Sequence, residues 1–168
     1  MPRTSFPLAP MGLGIRAFSL VLVLLGVGFL VMSRFDSHVA WLPAALLLAL
    51  SASVWLFFRP ARFKLERGVL VLEYPLRAKR IALGGLEAAE RITPAGFKER
   101  FRWALRVGVG GLFGGFGWLR TAHGWVEMDI SRTDGMVLLT FTGRSPMLLT
   151  PEDPEVFVEA VQQAARAA

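Results

Sequence analysis

The sequence predicts a membrane α-helical hairpin followed by a mainly-β domain, an antiparallel two-sheet, partly open barrel of about seven strands with a C-terminal α-helix. Three observations predict it. Two apolar runs, Leu13 to Met32 and Val39 to Phe58, stand on either side of the short polar link SRFDSH. After Pro60 the apolar stretches become short and are separated by glycine turns, the pattern of strands. From Thr150 the period changes again, to that of an amphipathic helix. Residues 1–62 are thereby assigned to a tail and helical hairpin, and residues 63–168 to the β domain.

A helical crossing of the hydrocarbon core needs about 20 mostly apolar residues, and each run is long enough. The first carries one charge, Arg16 near its start, and the second carries none before Arg59. Neither buries an ionisable group at mid-membrane, where one is costly. The first run is longer than the apolar stretch of a signal peptide and is followed by Arg34, Phe35 and Asp36. Arg59, Arg62, Lys64 and Arg67 crowd the exit of the second run, whereas the link holds only Arg34. The positive-inside rule therefore places both termini and the β domain on the cytoplasmic side of an inner (plasma) membrane. Ala45, Ala49 and Ser53 recur at every fourth residue and make a small-residue stripe, with Gly26 and Gly28 as a similar spot on the first helix. Such stripes let helices approach closely, within the hairpin or between copies in a homo-oligomer. Trp41 and Trp55 fall near the ends of the second span, where indoles favour the headgroup boundary.

The 168-residue chain has no cysteine, which excludes disulfides, thiolate-held clusters, thiolate zinc sites and cysteine nucleophiles. Its net charge of +6 is unevenly placed. Residues 1–58 hold three arginines against one acid (+2), residues 59–121 hold thirteen Lys or Arg against five Glu (+8), and residues 122–168 hold three Arg against seven acids (−4). The basic excess thus starts directly after the second run, where anionic headgroups attract Lys and Arg by about 1 kcal/mol each. Arg62, Lys64, Arg77, Lys79 and Arg80 are the candidate contacts for lipid or for a protein partner. No recognition helix or aromatic RNA-binding motif accompanies the charge, so no nucleic-acid partner is expected.

Within the β region, Phe63 to Leu65 and Val69 to Tyr74 read as strands around Glu66-Arg67-Gly68. Arg80 to Leu83 comes next, then Leu86 to Ile92 after the Gly84-Gly85 breaker; LEAAER is a good helix former, but its neighbours favour a strand. The segment Val107 to Leu119 carries six glycines, Gly108, Gly110, Gly111, Gly114, Gly115 and Gly117, which make regular structure costly. Three readings stand. A phosphate-binding loop needs a helix opening immediately afterwards, and Trp118 to Thr121 look like strand. A membrane-dipping loop fits Phe113, Phe116 and Trp118 bracketed by Arg102, Arg106 and Arg120. A glycine-rich bulged crossing inside the barrel is the structural alternative.

Trp118 to Thr121, Trp125 to Ser131, Met136 to Phe141 and Met147 to Leu149 then form a meander with turns at His123-Gly124, Thr133-Asp134-Gly135 and Gly143. Val126, Met128 and Ile130 alternate with Trp125, Glu127 and Asp129, predicting one core face and one wet face. Thr150-Pro151-Glu152-Asp153 has the composition of a helix start, with a hydroxyl cap, Pro in the first turn and early acids. Val156, Phe157, Ala160, Val161 and Ala164 then share one helical face.

Residues 63–165 resemble the bacterial pleckstrin-homology-like (PH-like) domains of small membrane proteins. The resemblance is carried by RVGVGGLFGGFGWLR, by the strands around TDGMVLLTF, and above all by the closing LLTPEDPEVFVEAV. It implies a seven-stranded, two-sheet fold with a C-terminal helix, membrane attachment and no established catalysis. Lys64 and Arg67 flank a tight turn without the full basic signature of phosphoinositide-binding members, so that ligand is not implied.

For catalysis the chain offers little. His38 and His123 lie far apart, Glu127 and Asp129 read as a solvated strand face, and Glu152, Asp153 and Glu155 suit a helix start. No enzyme, cofactor or metal is expected. The functional expectation is a membrane-anchored PH-like interaction or scaffold module at the inner membrane face, contacting anionic lipid, a protein partner or both. The alternative is an accessory subunit of a membrane complex that binds its partner through the transmembrane hairpin.

Overall fold

The computed structural model describes residues 4–35 and 39–167; Asp36, Ser37 and His38 of the polar link lie outside the described residues. Two helices are long and apolar enough to cross a membrane, Leu13–Met32 and Trp41–Phe58. The first is α1 (Leu13–Met32); the second is α2 (Trp41–Ser53), continued by a π-helical turn over Val54–Phe58. Their contact uses another face of α2 than the expected one. Ala44, Ser51 and Val54 are buried, whereas Ala45, Ala49 and Ser53 are exposed. On α1, Gly26 is the close-approach residue, since a Cβ there would stand 3.2 Å from Leu48, while Gly28 has open space around it. Ile15, Ser19, Leu22, Val23, Gly26 and Phe29 are the inward residues of α1 and form one stripe along the helix.

Residues Ser5–Pro7, expected as part of a tail, form β1 and pair antiparallel with β2 (Arg62–Glu66). β3 (Val69–Glu73) and β4 (Ala78–Ala82) complete a four-stranded sheet in the order β1-β2-β3-β4. The helical hairpin is therefore inserted between two neighbouring strands of one sheet. Pairing of β1 with β2 brings both ends of the hairpin to the same side.

The second sheet holds β5 (Leu86–Ile92), β6 (Ala104–Gly110), β7 (Gly115–Thr121), β8 (Gly124–Ile130), β9 (Met136–Phe141) and β10 (Arg144–Leu149), in the order β5-β9-β10-β8-β7-β6. Leu86 to Ile92 is strand, as its neighbours suggested. The described residues thus carry ten strands instead of about seven, in two separate sheets without barrel closure. One pair, β8 with β10, runs parallel because β10 returns from the β9 hairpin to lie between β9 and β8.

An additional helix, α3 (Pro94–Phe101), opens with Thr93 as N-cap, its Oγ1 accepting from the Gly96 N–H at 3.1 Å, and with Pro94 in the first turn. The closing helix, α4, covers Pro154–Arg166 and starts later than the sequence suggested. Thr150 is drawn into the core instead, where its hydroxyl accepts the Ser131 N–H at 2.8 Å, and Pro151 bridges to Leu8. Phe157 and Val161 of α4 are buried against the four-stranded sheet and the inner face of the larger one, while Val156 is exposed. Ile92, Leu119, Val126, Met128, Ile130 and Leu138 pack on the outer face with Phe101 of α3. The larger sheet is apolar on both sides there, which is why its strands are richer in hydrophobics than simple alternation requires.

A candidate membrane-edge cleft

From Val126 to Ile130 both faces of β8 lie inside the molecule. Val126, Met128 and Ile130 take the outer core, and Glu127 and Asp129, read from sequence as wet, point between the two sheets and are 8% and 5% exposed. The sandwich gapes at this place. β4 ends the smaller sheet, β6 ends the larger, and the space between them is a cleft of about 570 Å³. Tyr74, Arg77 and Lys79 line one side, Val107, Gly108, Phe116, Gly117 and Trp118 the other, Glu127 and Asp129 the back, and Phe58 closes it at the end of the second apolar helix.

A network of ion pairs holds the back wall. Glu127 is shared by Lys79, through a short contact to Oε1, and by Arg144, whose Nη2 donates to Oε2 at 3.2 Å. Tyr74 donates its hydroxyl proton toward Asp129 Oδ2 at 3.4 Å. Burial pushes the Asp129 carboxyl up to about 7, against the opposing pull of Lys79, the Tyr74 hydroxyl and Arg77. Burial likewise raises the Tyr74 phenol beyond its usual range, with the Asp129 charge adding to it. Lys79 is shifted down, chiefly by its own desolvation. The cleft therefore presents cations and hydrogen-bond acceptors side by side against an apolar wall of Phe58, Val107, Phe116 and Trp118. That combination suits a group with an anionic end and hydroxyl or ammonium protons on an apolar body.

The five cations singled out from sequence are divided by the fold. Arg62 and Lys64 both pair with Glu73 on the neighbouring strand, at 3.4 and 2.5 Å. Arg77 lies 4.4 Å over the Tyr74 ring, and its Nε donates at 2.9 Å to the carbonyl of Phe57, one of the carbonyls that a helix end leaves without an intrahelical partner. Lys79 reaches into the cleft, and Arg80, two residues from Ala78 on the same edge strand, is exposed. Of the five, only Arg77 and Lys79 line the cleft. The pairing of Lys79 and Arg144 with Glu127 was missed from sequence because the three lie on different strands, and the alternation along β8 carries no sign of which face a second sheet will cover.

The glycine-rich segment is a regular hairpin, not a bulged crossing. Gly108 faces Gly117 and Gly110 faces Gly115 across β6 and β7. A Cβ on Gly108 would stand 2.4 Å from the Phe116 carbonyl oxygen, so the two backbones approach as only glycine allows. The segment leads into a strand and lacks the helix N-terminus of a phosphate-binding loop. Its tip instead rests on the apolar helices. The Phe113 N–H donates to Ser19 Oγ at 2.8 Å, Phe113 packs edge-on against Trp55 with ring centres 5.1 Å apart, and Leu112 is buried with Val54 and Phe116.

Among the described residues no group of three His, Asp or Glu side chains could hold a metal ion. No protein-family model, curated protein or solved structure matches the chain. The class is defined by architecture: a two-sheet β domain with an apolar helical hairpin inserted between adjacent strands.

Proposed function

We propose that the two apolar helices span the inner membrane and that the protein is a non-catalytic, membrane-anchored interaction module whose inter-sheet cleft takes an anionic lipid headgroup. The observation that carries this reading is the position of the cleft. Phe58, the last residue of the second apolar helix, lines the same space as Arg77, Lys79, Glu127 and Asp129. A headgroup at the bilayer surface would meet the cations directly, with Glu127 and Asp129 accepting from its hydroxyl or ammonium protons. The cytoplasmic placement is supported by Arg59, Arg62, Lys64 and Arg67 after the second helix. The PH-like assignment belongs to the same reading. It is supported by serial strands closed by one terminal helix, while ten strands and a parallel pair depart from it.

The test uses the full chain purified in mild detergent, with retained lipid read by native mass spectrometry after exchange against phosphatidylglycerol and phosphatidylcholine. Selective retention of phosphatidylglycerol is expected, reduced about thirtyfold in the Arg77→Gln, Lys79→Gln double variant, in line with roughly 1 kcal/mol per cation near a headgroup. Equal retention by wild type and a folded variant would remove the cleft from consideration.

The second reading, an accessory subunit recognising a membrane partner through its helices, is favoured by one observation. Ala45, Ala49 and Ser53 face away from α1 and are left exposed. Ala45→Leu with Ala49→Leu would then abolish co-purification of that partner or of a second copy while leaving lipid retention unchanged.

A further inference from the structure

β6 is the least covered strand of the larger sheet. β6 is an edge strand with Ala104 through Gly108 exposed. Trp103, Leu105 and Val107 are 57%, 62% and 48% exposed, and Trp118 and Trp125 beside them about 40%. Arg102 and Arg120 flank this apolar surface, while Arg106 lies on the other face of β6 with its guanidinium against Gly110; none of the three makes an ion pair with an acid among the described residues. Arg120 instead lies 5.3 Å over the Trp125 ring. Exposed tryptophans and arginines around an apolar centre have the composition of a membrane boundary.

The fold also supplies the depth scale. At the tip, Phe113 donates to Ser19, six residues into α1, or about 9 Å from the helix start at 1.5 Å per residue. Six residues before Phe113, on β6, Val107 shares the cleft with Trp118 and with Phe58, the last residue of the second apolar helix. The tip therefore stands past the start of α1, and Val107 stands at the cleft that Phe58 closes. A strand edge cannot lie against lipid tails with its backbone groups unpaired. The tip meets that requirement in part, since Gly111 and Gly114 are bonded to each other at 2.9 Å and the Phe113 N–H is taken by the Ser19 hydroxyl.

We infer that the β6–β7 hairpin is a third membrane-inserted element, its glycine tip wedged on the helical hairpin below the lipid surface and its collar of Trp103, Trp118, Arg102 and Arg120 seated among anionic headgroups. This rests on the reading that the two helices span. A second copy of the chain is a poorer occupant of the β6 edge. With its tip on the helices and its other end remote from them, the strand points away from the bilayer. Antiparallel pairing of two such edges needs a two-fold axis perpendicular to the strands, which would turn the partner's helices out of the shared membrane.

The cysteine-free chain allows a direct test by single cysteines at Trp103, Leu105 and Val107, with Leu24 and Thr142 as references, each carrying a nitroxide in vesicles of phosphatidylcholine with or without phosphatidylglycerol. Accessibility to oxygen, which partitions into the bilayer, is compared with accessibility to a water-soluble nickel chelate. The expected ratio is several-fold higher at Val107 than at Thr142, falling through Leu105 to Trp103. At Trp103, phosphatidylglycerol should immobilise the label, and Arg102→Gln with Arg120→Gln should abolish that effect. A Val107 label as water-exposed as that at Thr142, with Leu24 in lipid, would overturn the inference and leave the helical anchor standing. Water-like values at Leu24 as well would overturn both.

Discussion

The two edges that bound the cleft carry similar numbers of cations with opposite fates. On and beside β4, Lys79 is committed to Glu127, and Arg77 to the Phe57 carbonyl and the Tyr74 ring. On β6 and β7, Arg102, Arg106 and Arg120 have no acid within reach among the described residues. In the sequence both look like basic stretches of a domain that comes after a membrane anchor. The difference teaches that the fold sets the surroundings of a basic stretch: acids from the distant, negatively charged C-terminal third give the β4 cations a mixed-charge cleft, while those of β6 and β7 stand without an acid partner among the described residues.

The comparison breaks most sharply at Glu127. Glu127→Ala strands Lys79 and Arg144 in a partly buried site and should destabilise the full chain by about 2–4 kcal/mol in denaturant unfolding, discounted because Lys79 is about a third exposed. A loss under about 1 kcal/mol would place the β4 cations among ordinary surface pairs. On the opposite edge the largest effect should come from backbone geometry. Gly108→Ala combines a φ of +138° with a Cβ 2.4 Å from a carbonyl oxygen, and should cost about 2–3 kcal/mol. Gly28→Ala, with open space around it, should be near neutral by the same unfolding measurement.

Asp129 sharpens the comparison through pH. Its carboxyl titrates near 7 in the fold and near 3.9 in the unfolded chain, so the folded state binds the proton more tightly. The resulting stability is fully present below about pH 4, is lost as pH rises toward 7, and is constant above that. Melting temperatures recorded between pH 5 and pH 8 should therefore fall as pH rises in the wild type, and the slope should flatten in Asp129→Asn. An unchanged slope would assign the pH dependence elsewhere. The smallest stability effect belongs to Arg102→Gln, Arg106→Gln and Arg120→Gln together, within about 0.5 kcal/mol of wild type.

The helical hairpin was legible because apolar length is a local property, and Leu13 to Met32 shows it residue by residue. Most strands were legible too, through glycine turns at Gly68, Gly124 and Gly143, each with a positive φ. α3 had a readable start in Thr93-Pro94, the same pair of residue types as Thr150-Pro151. The second pair was read as a helix start, yet there the core claimed the threonine hydroxyl and α4 began at Pro154. A hydroxyl before a proline is thus an offer of a cap that tertiary contacts can withdraw. Of the cleft, Arg77 and Lys79 were named as contact residues from their charge, while Tyr74, Glu127, Asp129 and Arg144 were not, because their partners are separated by up to 55 residues.

By itself the sequence determined the two apolar helices, the mainly-β character of the chain beyond them, the closing helix and the uneven charge, because each depends on residue type and short-range period. Tertiary structure alone decided that residues 5–7 join the sheet beside β2, that the second helix packs through Ala44 and Ser51, and that β8 is buried on both faces from Val126 to Ile130. Sheet order, register and the closing of one layer on another are set by contacts between residues far apart in the chain. Those contacts also settle which carboxylate is buried, which arginine is left free and where the sandwich stays open.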